Sequence, residues 1–137
     1  MGKIHDLKMF TVEEANRLIS RLTHWIQELQ KGRETILALE VEIDSLELVT
    51  EKEDGGVSPS MDRKVEEYTR LVNRFYSLVD EIHEIGCLLK DLDLGLVDFY
   101  SLQNNRVVLL CWKMGETAVG FWHEIGGGYT TRQQLQK

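Results

Sequence analysis

Apolar side chains recur at three- and four-residue steps along the first fifty residues. Ala15, Leu22, Leu29, Ile36 and Ile43 fill one column of a heptad frame and Leu18, Trp25, Leu39 and Leu46 the other, with only Gly32 and Thr50 falling outside the apolar set. Spacing sustained over that length predicts a coiled-coil type of helix spanning 11–53. Its start is marked by Thr11 and Glu14, a T-x-x-E capping box, with Phe10 and Ala15 placed as the hydrophobic staple around it. The pattern breaks at Asp54-Gly55-Gly56-Val57-Ser58-Pro59, which combines two glycines with the chain's one proline. A second heptad follows from Met61 through Val65, Tyr68, Val72, Phe75, Val79, Ile82 and Gly86 to Leu89, with Leu71, Leu78 and Ile85 as a third apolar column. It predicts a second helix over 59–86, Ser58 capping it and Pro59 in its first position. Two such helices joined by a short turn fold back as an antiparallel hairpin.

That hairpin leaves apolar surface over. A turn centred near residue 56 brings the end of the second helix only to the level of Ile26, so Leu18, Ile19 and Leu22 lack a partner within it. The stripe, widened by Ile19, Ile26 and the third column, is too broad for two helices to cover. Either the C-terminal segment or a second copy must cover it, and a homodimer is the expected partner arrangement.

From Gly86 onward the texture changes. Seven of the eleven glycines lie in 86–137, and period-2 segments rich in Val, Leu and aromatics predict strands over Leu96–Leu102, Val107–Met114 and Val119–Glu124. Asn104-Asn105 between the first two is a pair that tolerates the positive φ of a tight hairpin turn. The expected fold is mainly α, of the α+β class: a long antiparallel coiled-coil hairpin followed by a small antiparallel β lobe over 87–137, all one domain of 1–137.

Composition narrows the function classes. The chain has 137 residues, 42% hydrophobic and 28% charged, with net charge −7. That is ordinary for a folded domain and gives no basic face for nucleic acid. The charge is uneven: residues 1–54 carry −5, 55–85 carry −2 and 86–137 are neutral. It gathers near the tip of the hairpin, at Glu40, Glu42, Asp44, Glu47, Glu51, Glu53 and Asp54. The longest apolar run, Val107 to Trp112, is far short of the ~18 residues that span a bilayer, and no apolar leader opens the chain. A cytoplasmic protein without membrane partner is expected, with Cys87 and Cys111 as free thiols.

The candidate chemistry lies in the neutral lobe. If Gln103 faces Arg106 across a two-residue turn, Asp98 stands opposite Cys111 on one face of the sheet. A carboxylate beside a thiol can be a pair of metal ligands or an acid next to a nucleophile; the structural reading makes Cys111 the small buried apolar residue usual in a hydrophobic strand and His123 a satisfied core histidine. Whether His123 joins them depends on register. A two-residue turn at Gly115-Glu116 sends it to the other face, and a three-residue turn including Thr117 brings it to the same one. Asp98 needs a partner, for which Arg132 and Lys113 are candidates. Trp112 and Trp122 are expected to fill the space between sheet and helices, the alternative being an aromatic binding platform. Gly126-Gly127-Gly128-Tyr129-Thr130-Thr131-Arg132 offers backbone N–H groups, a short capped helix and a guanidinium fork that could hold an anion. No H-E-x-x-H, Walker, G-x-S-x-G or C-x-x-C pattern is present.

Several segments together resemble a known family. Thr11 to Asn16, Lys90-Asp91-Leu92, Gly95 to Phe99, Cys111 to Glu116, Trp122-His123-Glu124 and Arg132-Gln133 are similar in order and spacing to the prokaryotic family known as domain of unknown function 2203. The resemblance spans nearly the whole chain and departs at Tyr100, where the family pattern carries proline. It implies small prokaryotic proteins with a helical coiled-coil N-terminal region and no established activity. Two functions remain in play. The first reading is a non-enzymatic interaction or assembly module built on a dimerising hairpin. The alternative is a small-molecule or metal site, which could be catalytic, with zinc or another transition metal as cofactor, formed by Asp98, Cys111, Glu116, His123 and Arg132 and bordered by Trp112 and Trp122.

Overall fold

The computed structural model describes residues 7–53 and 58–136. Three helices, α1 (Val12–Asn16), α2 (Ile19–Glu53) and α3 (Pro59–Glu84), precede five strands: β1 (Cys87–Asp91), β2 (Leu96–Gln103), β3 (Arg106–Lys113), β4 (Phe121–His123) and β5 (Gln133–Gln134). The α+β class expected from the sequence is therefore observed.

The helix signals act as the sequence dictates. Thr11 accepts from the Glu14 amide at 3.0 Å while the Glu14 carboxylate accepts from the Thr11 amide at 2.9 Å, which closes the capping box. Ser58 caps α3 by accepting from the Met61 amide, with Pro59 in the first turn. Helices α2 and α3 lie antiparallel and are cross-linked by Arg74 to Glu28, Tyr68 to Glu40 and Lys64 to Glu42. The Asp54–Val57 portion of the expected turn lies outside the described residues.

Several elements differ from expectation. The first helix is not continuous from 11 to 53, because the chain leaves helix at Arg17–Leu18. There the Leu18 amide bonds the Ala15 carbonyl in a tightened turn, and Asn16 turns its side-chain oxygen to the Val119 amide at 2.7 Å. The second helix stops at Glu84, and Gly86 takes φ +97, a conformation that a side chain resists. A Cβ at Gly86 would also stand 2.7 Å from the Lys8 Cβ. The sheet has five strands rather than three, since Cys87–Asp91 is a strand and Gln133–Gln134 adds a short outer one. The expected third strand, Val119–Glu124, shortens to Phe121–His123.

All neighbours in the sheet are antiparallel, in the order β1-β2-β3-β4-β5. Gln103 pairs with Arg106, and Asn104 and Asn105 take φ 51 and 63, so the two-residue turn forms as its residues require. Strand β2 runs straight through Tyr100, whose carbonyl accepts from the Phe10 amide at 2.7 Å. On one face of the sheet Val97, Phe99, Leu110 and Trp112 pack with Leu22, Ile26, Leu78 and Ile82 into a single core. The C-terminal segment thus covers the opening turns of the first long helix. Further along the hairpin, Leu37, Val41, Leu48, Val65 and Tyr76 stay exposed. Among the described residues no helix is long and apolar enough to cross a membrane.

Candidate metal centre

Strand alternation decides which side chains meet. Opposite the helices, the outer face of the sheet carries Asp98 on β2, paired with Cys111 on β3, and Cys111 in turn pairs with Phe121 on β4. His123, two residues beyond Phe121, therefore points to the same side, in the register of the three-residue turn. Asp98, Cys111 and His123 are 2%, 0% and 1% exposed, although they lie on the face away from the helices.

His123 is oriented from both sides. Its Nδ1 lies 2.7 Å from the Glu124 carbonyl oxygen, which can only accept, so Nδ1 carries the hydrogen. Nε2 is then left to face Asp98 Oδ2 at 3.0 Å. The expected partners of Asp98, Arg132 or Lys113, are replaced by this imidazole. Arg132 is taken by Glu116 instead, and Lys113 lies over the Tyr129 ring, 5.6 Å from its centroid. The second carboxylate oxygen of Asp98, Oδ1, is buried and has no hydrogen-bond partner among the described residues. A buried polar atom left in that state costs about 1–3 kcal/mol, and so calls for an explanation.

The Cys111 sulfur completes a triangle in which one donor atom from each of the three residues lies within 4.8 Å of the others. Burial pushes the Cys111 thiol up to about 12, and the neighbouring Asp98 carboxylate adds to that shift. Arg132 works in the opposite direction, with Nη1 4.0 Å from Sγ. The guanidinium is fixed there by two bonds to Glu116, at 3.1 and 2.6 Å. It is stacked against the rings of Phe121, 3.9 Å from the centroid, and Tyr129, 4.5 Å. For Glu116, burial alone raises the carboxyl; the bonds from Arg132 and the Lys113 amide outweigh it, and the net direction is down. The clamp is charged under ordinary conditions.

The sequence-derived residues thus divide. Asp98, Cys111 and His123 converge, and Glu116 with Arg132 closes over Cys111. Trp112 and Trp122 lie on the other face, Trp112 in the core and Trp122 packed beside it. Trp112 still reaches the clamp, because its indole N–H donates to the Glu116 carbonyl at 2.9 Å. The anion fork that Gly126–Arg132 offers as the alternative to a plain flexible exit is not open in this structure. The segment makes a three-residue 3₁₀ turn at Tyr129–Thr131 with Thr131 bonded back to Gly128, and both Arg132 terminal nitrogens serve Glu116. Phe121 and Tyr129 were not singled out from the sequence. The alternation of β4 could have placed Phe121 beside Cys111, whereas nothing local marks Tyr129.

A sequence profile of the family described as uncharacterized conserved protein (DUF2203) matches residues 8–135. The chain belongs to DUF2203. No curated protein and no solved structure gives a match. Family membership therefore covers the helices and the sheet together, and every residue of the Asp98–Cys111–His123 cluster and its clamp falls inside the matched span. The family description attaches no activity to them.

Proposed function

We propose that this DUF2203 chain is a metal-binding protein whose sheet lobe holds one transition-metal ion, of the zinc type, through Asp98, Cys111 and His123. The observation that carries the reading is the buried, unpartnered Oδ1 of Asp98, facing a histidine and a thiol. An ion between these groups gives that oxygen a partner and replaces the hydrogen between Nε2 and Oδ2. It also holds Cys111 as thiolate, which the protein alone resists. Nδ1–H bonded to a backbone carbonyl is the support that metal-ligating histidines use to present Nε2. Zinc bonds to nitrogen and oxygen run to about 2.0–2.2 Å and to sulfur about 2.3 Å. Donor atoms separated by 3.0–4.8 Å need only small movements to meet one ion. The mixed N, O and S set suits a borderline-soft metal rather than magnesium or calcium.

Nucleophilic catalysis, the other chemistry of a thiol beside an acid and an imidazole, is disfavoured. Both ring nitrogens of His123 are engaged, and Cys111 is a fully buried thiol. Titrating metal-free protein with cobalt(II) tests the metal reading. One equivalent should produce thiolate-to-metal absorption with release of the Cys111 proton, and zinc should displace it. Cys111→Ser should abolish the sulfur band, and His123→Gln should weaken binding by roughly a hundredfold. A folded protein that takes up neither metal, and whose melting temperature zinc leaves unchanged, sinks the proposal.

A second reading is favoured by a separate observation, the exposed row of Leu37, Val41 and Leu48 on α2 with Val65 and Tyr76 on α3. The distal hairpin then serves as an assembly surface, with coiled-coil pairing to a second copy. Light scattering should find a dimer at micromolar concentration that Val41→Glu together with Leu48→Glu dissociates. A strictly monomeric parent protein removes this reading and leaves the metal site untouched.

A further inference from the structure

The helices do not cover the whole inner face of the sheet. Beyond Ser101, at the end that carries the Asn104-Asn105 turn, a cavity of about 390 Å³ opens, well within the ~300–1,000 Å³ of small-molecule sites. Val108 and the indole of Trp122 contribute its apolar surface, and Gln103, Asn104, Gln133, Gln134 and Gln136 supply side-chain amides. It lies on the opposite side of the sheet from the Asp98 cluster, so it does not depend on the metal reading.

The framework of this cavity is fixed. Ser101 donates to the Phe10 carbonyl at 2.7 Å and accepts from the Gln103 amide at 2.9 Å, which orients one side of that amide. Gln103 keeps its amide oxygen and a second N–H for a ligand. Gln133 pairs with Trp122 across β4 and β5, and the Leu135 amide is tied to the Gly120 carbonyl at 2.9 Å. Among the described residues Arg106 is the one charged side chain lining the cavity, and it is already bonded to Glu124 at 2.8 Å. Among the described residues no uncompensated charge is left there for an anion or a cation.

We infer that this cavity is a binding site for a neutral saccharide of one or two rings. Each carboxamide offers two donors and an acceptor oxygen, which complements hydroxyl groups that both donate and accept. The indole supplies a flat apolar wall for the C–H face of a pyranose while the rest of the ring stays hydrogen-bonded. Arg106 lies over the Trp122 ring, 5.9 Å from its centroid, so one indole face is already engaged. A sugar needs only a single such face. A nucleobase gains most from being stacked on both sides, and is the less suited neutral ring.

The test is an amide-resolved NMR titration of ¹⁵N-labelled protein with glucose, N-acetylglucosamine and cellobiose, with adenosine run in parallel. At least one sugar should cause saturable shifts in the Trp122 indole N–H and the Gln103 and Gln133 side-chain amides, leaving the His123 ring signals unmoved. Gln103→Ala, a change at the rim, should weaken that binding roughly tenfold without altering the fold, and Trp122→Ala should abolish it. Where Trp122→Ala fails to fold, Gln103→Ala and Trp122→Phe carry the test. No saturable shift with any of the three sugars overturns the inference. So does sugar binding that Gln103→Ala leaves intact, or adenosine binding in place of sugar.

Discussion

His123→Ala is expected to cost about 1–3 kcal/mol of folding stability when made in metal-free protein, the range for leaving a buried polar group without its hydrogen-bond partner. Asp98 is 2% exposed, its Oδ2 is bonded to Nε2, and its Oδ1 has no hydrogen-bond partner among the described residues. Truncating the imidazole removes the ring nitrogen that faces this buried carboxyl, and the strand is then drawn toward water. A domain of this kind has only about 5–15 kcal/mol in total, so the urea midpoint should fall steeply with little change in slope. The double change Asp98→Leu with His123→Leu removes both partners at similar volume. It should recover most of that loss, because replacing both partners of a buried polar pair by apolar groups can be nearly neutral. Recovery of stability with complete loss of cobalt binding would mean that the polar cluster is kept for the ion and not for the fold. An unchanged midpoint in His123→Ala would show that the carboxylate is satisfied in some other way and would undercut the reading of Oδ1 as a waiting ligand.

How far the sequence reaches can be judged from these same elements. The pairing of Asp98 with Cys111 was legible, because Asn104-Asn105 admits positive φ at two successive positions and so fixes a two-residue turn, from which register follows by counting. The capping box at Thr11 and the Ser58-Pro59 start were legible because each is a local device with its own hydrogen bonds. Strand β1 was hidden because Ile82, Gly86 and Leu89 continue the heptad spacing across the helix end, and a short apolar run does not separate strand from helix. The break after Asn16 was hidden for the same reason, since Ala15, Leu18 and Leu22 keep the frame while the backbone departs from it. Strand β5 is two glutamines and carries no pattern at all. His123 was left open because the connection from Lys113 to Phe121 is too long for turn chemistry to set its register. That face was decided by contacts distant in sequence, such as Asn16 with Val119 and Arg132 with Glu116.

The largest packing effect is expected at Trp112, which links the core to the clamp over Cys111. Its side chain is fully buried on the helix-facing side of β3, and its N–H reaches through to the Glu116 carbonyl. Trp112→Ala opens a cavity among Leu22, Ile26 and Val97 and strips that carbonyl of its donor, for a combined loss of about 3–5 kcal/mol. Trp112→Phe keeps most of the apolar volume and loses chiefly the hydrogen bond, about 0.5–1.5 kcal/mol. The consequence for the site is separable from stability. Glu116 holds Arg132, and Arg132 lies against Cys111, so loosening the Glu116 backbone should let a thiol reagent reach Cys111 sooner. In a Cys87→Ser background, Trp112→Phe should raise the rate of Cys111 alkylation several-fold more than a core substitution of equal stability cost, such as Ile82→Val. Equal rates in the two variants would mean that the clamp opens only with global unfolding, and that Trp112 acts on the fold alone.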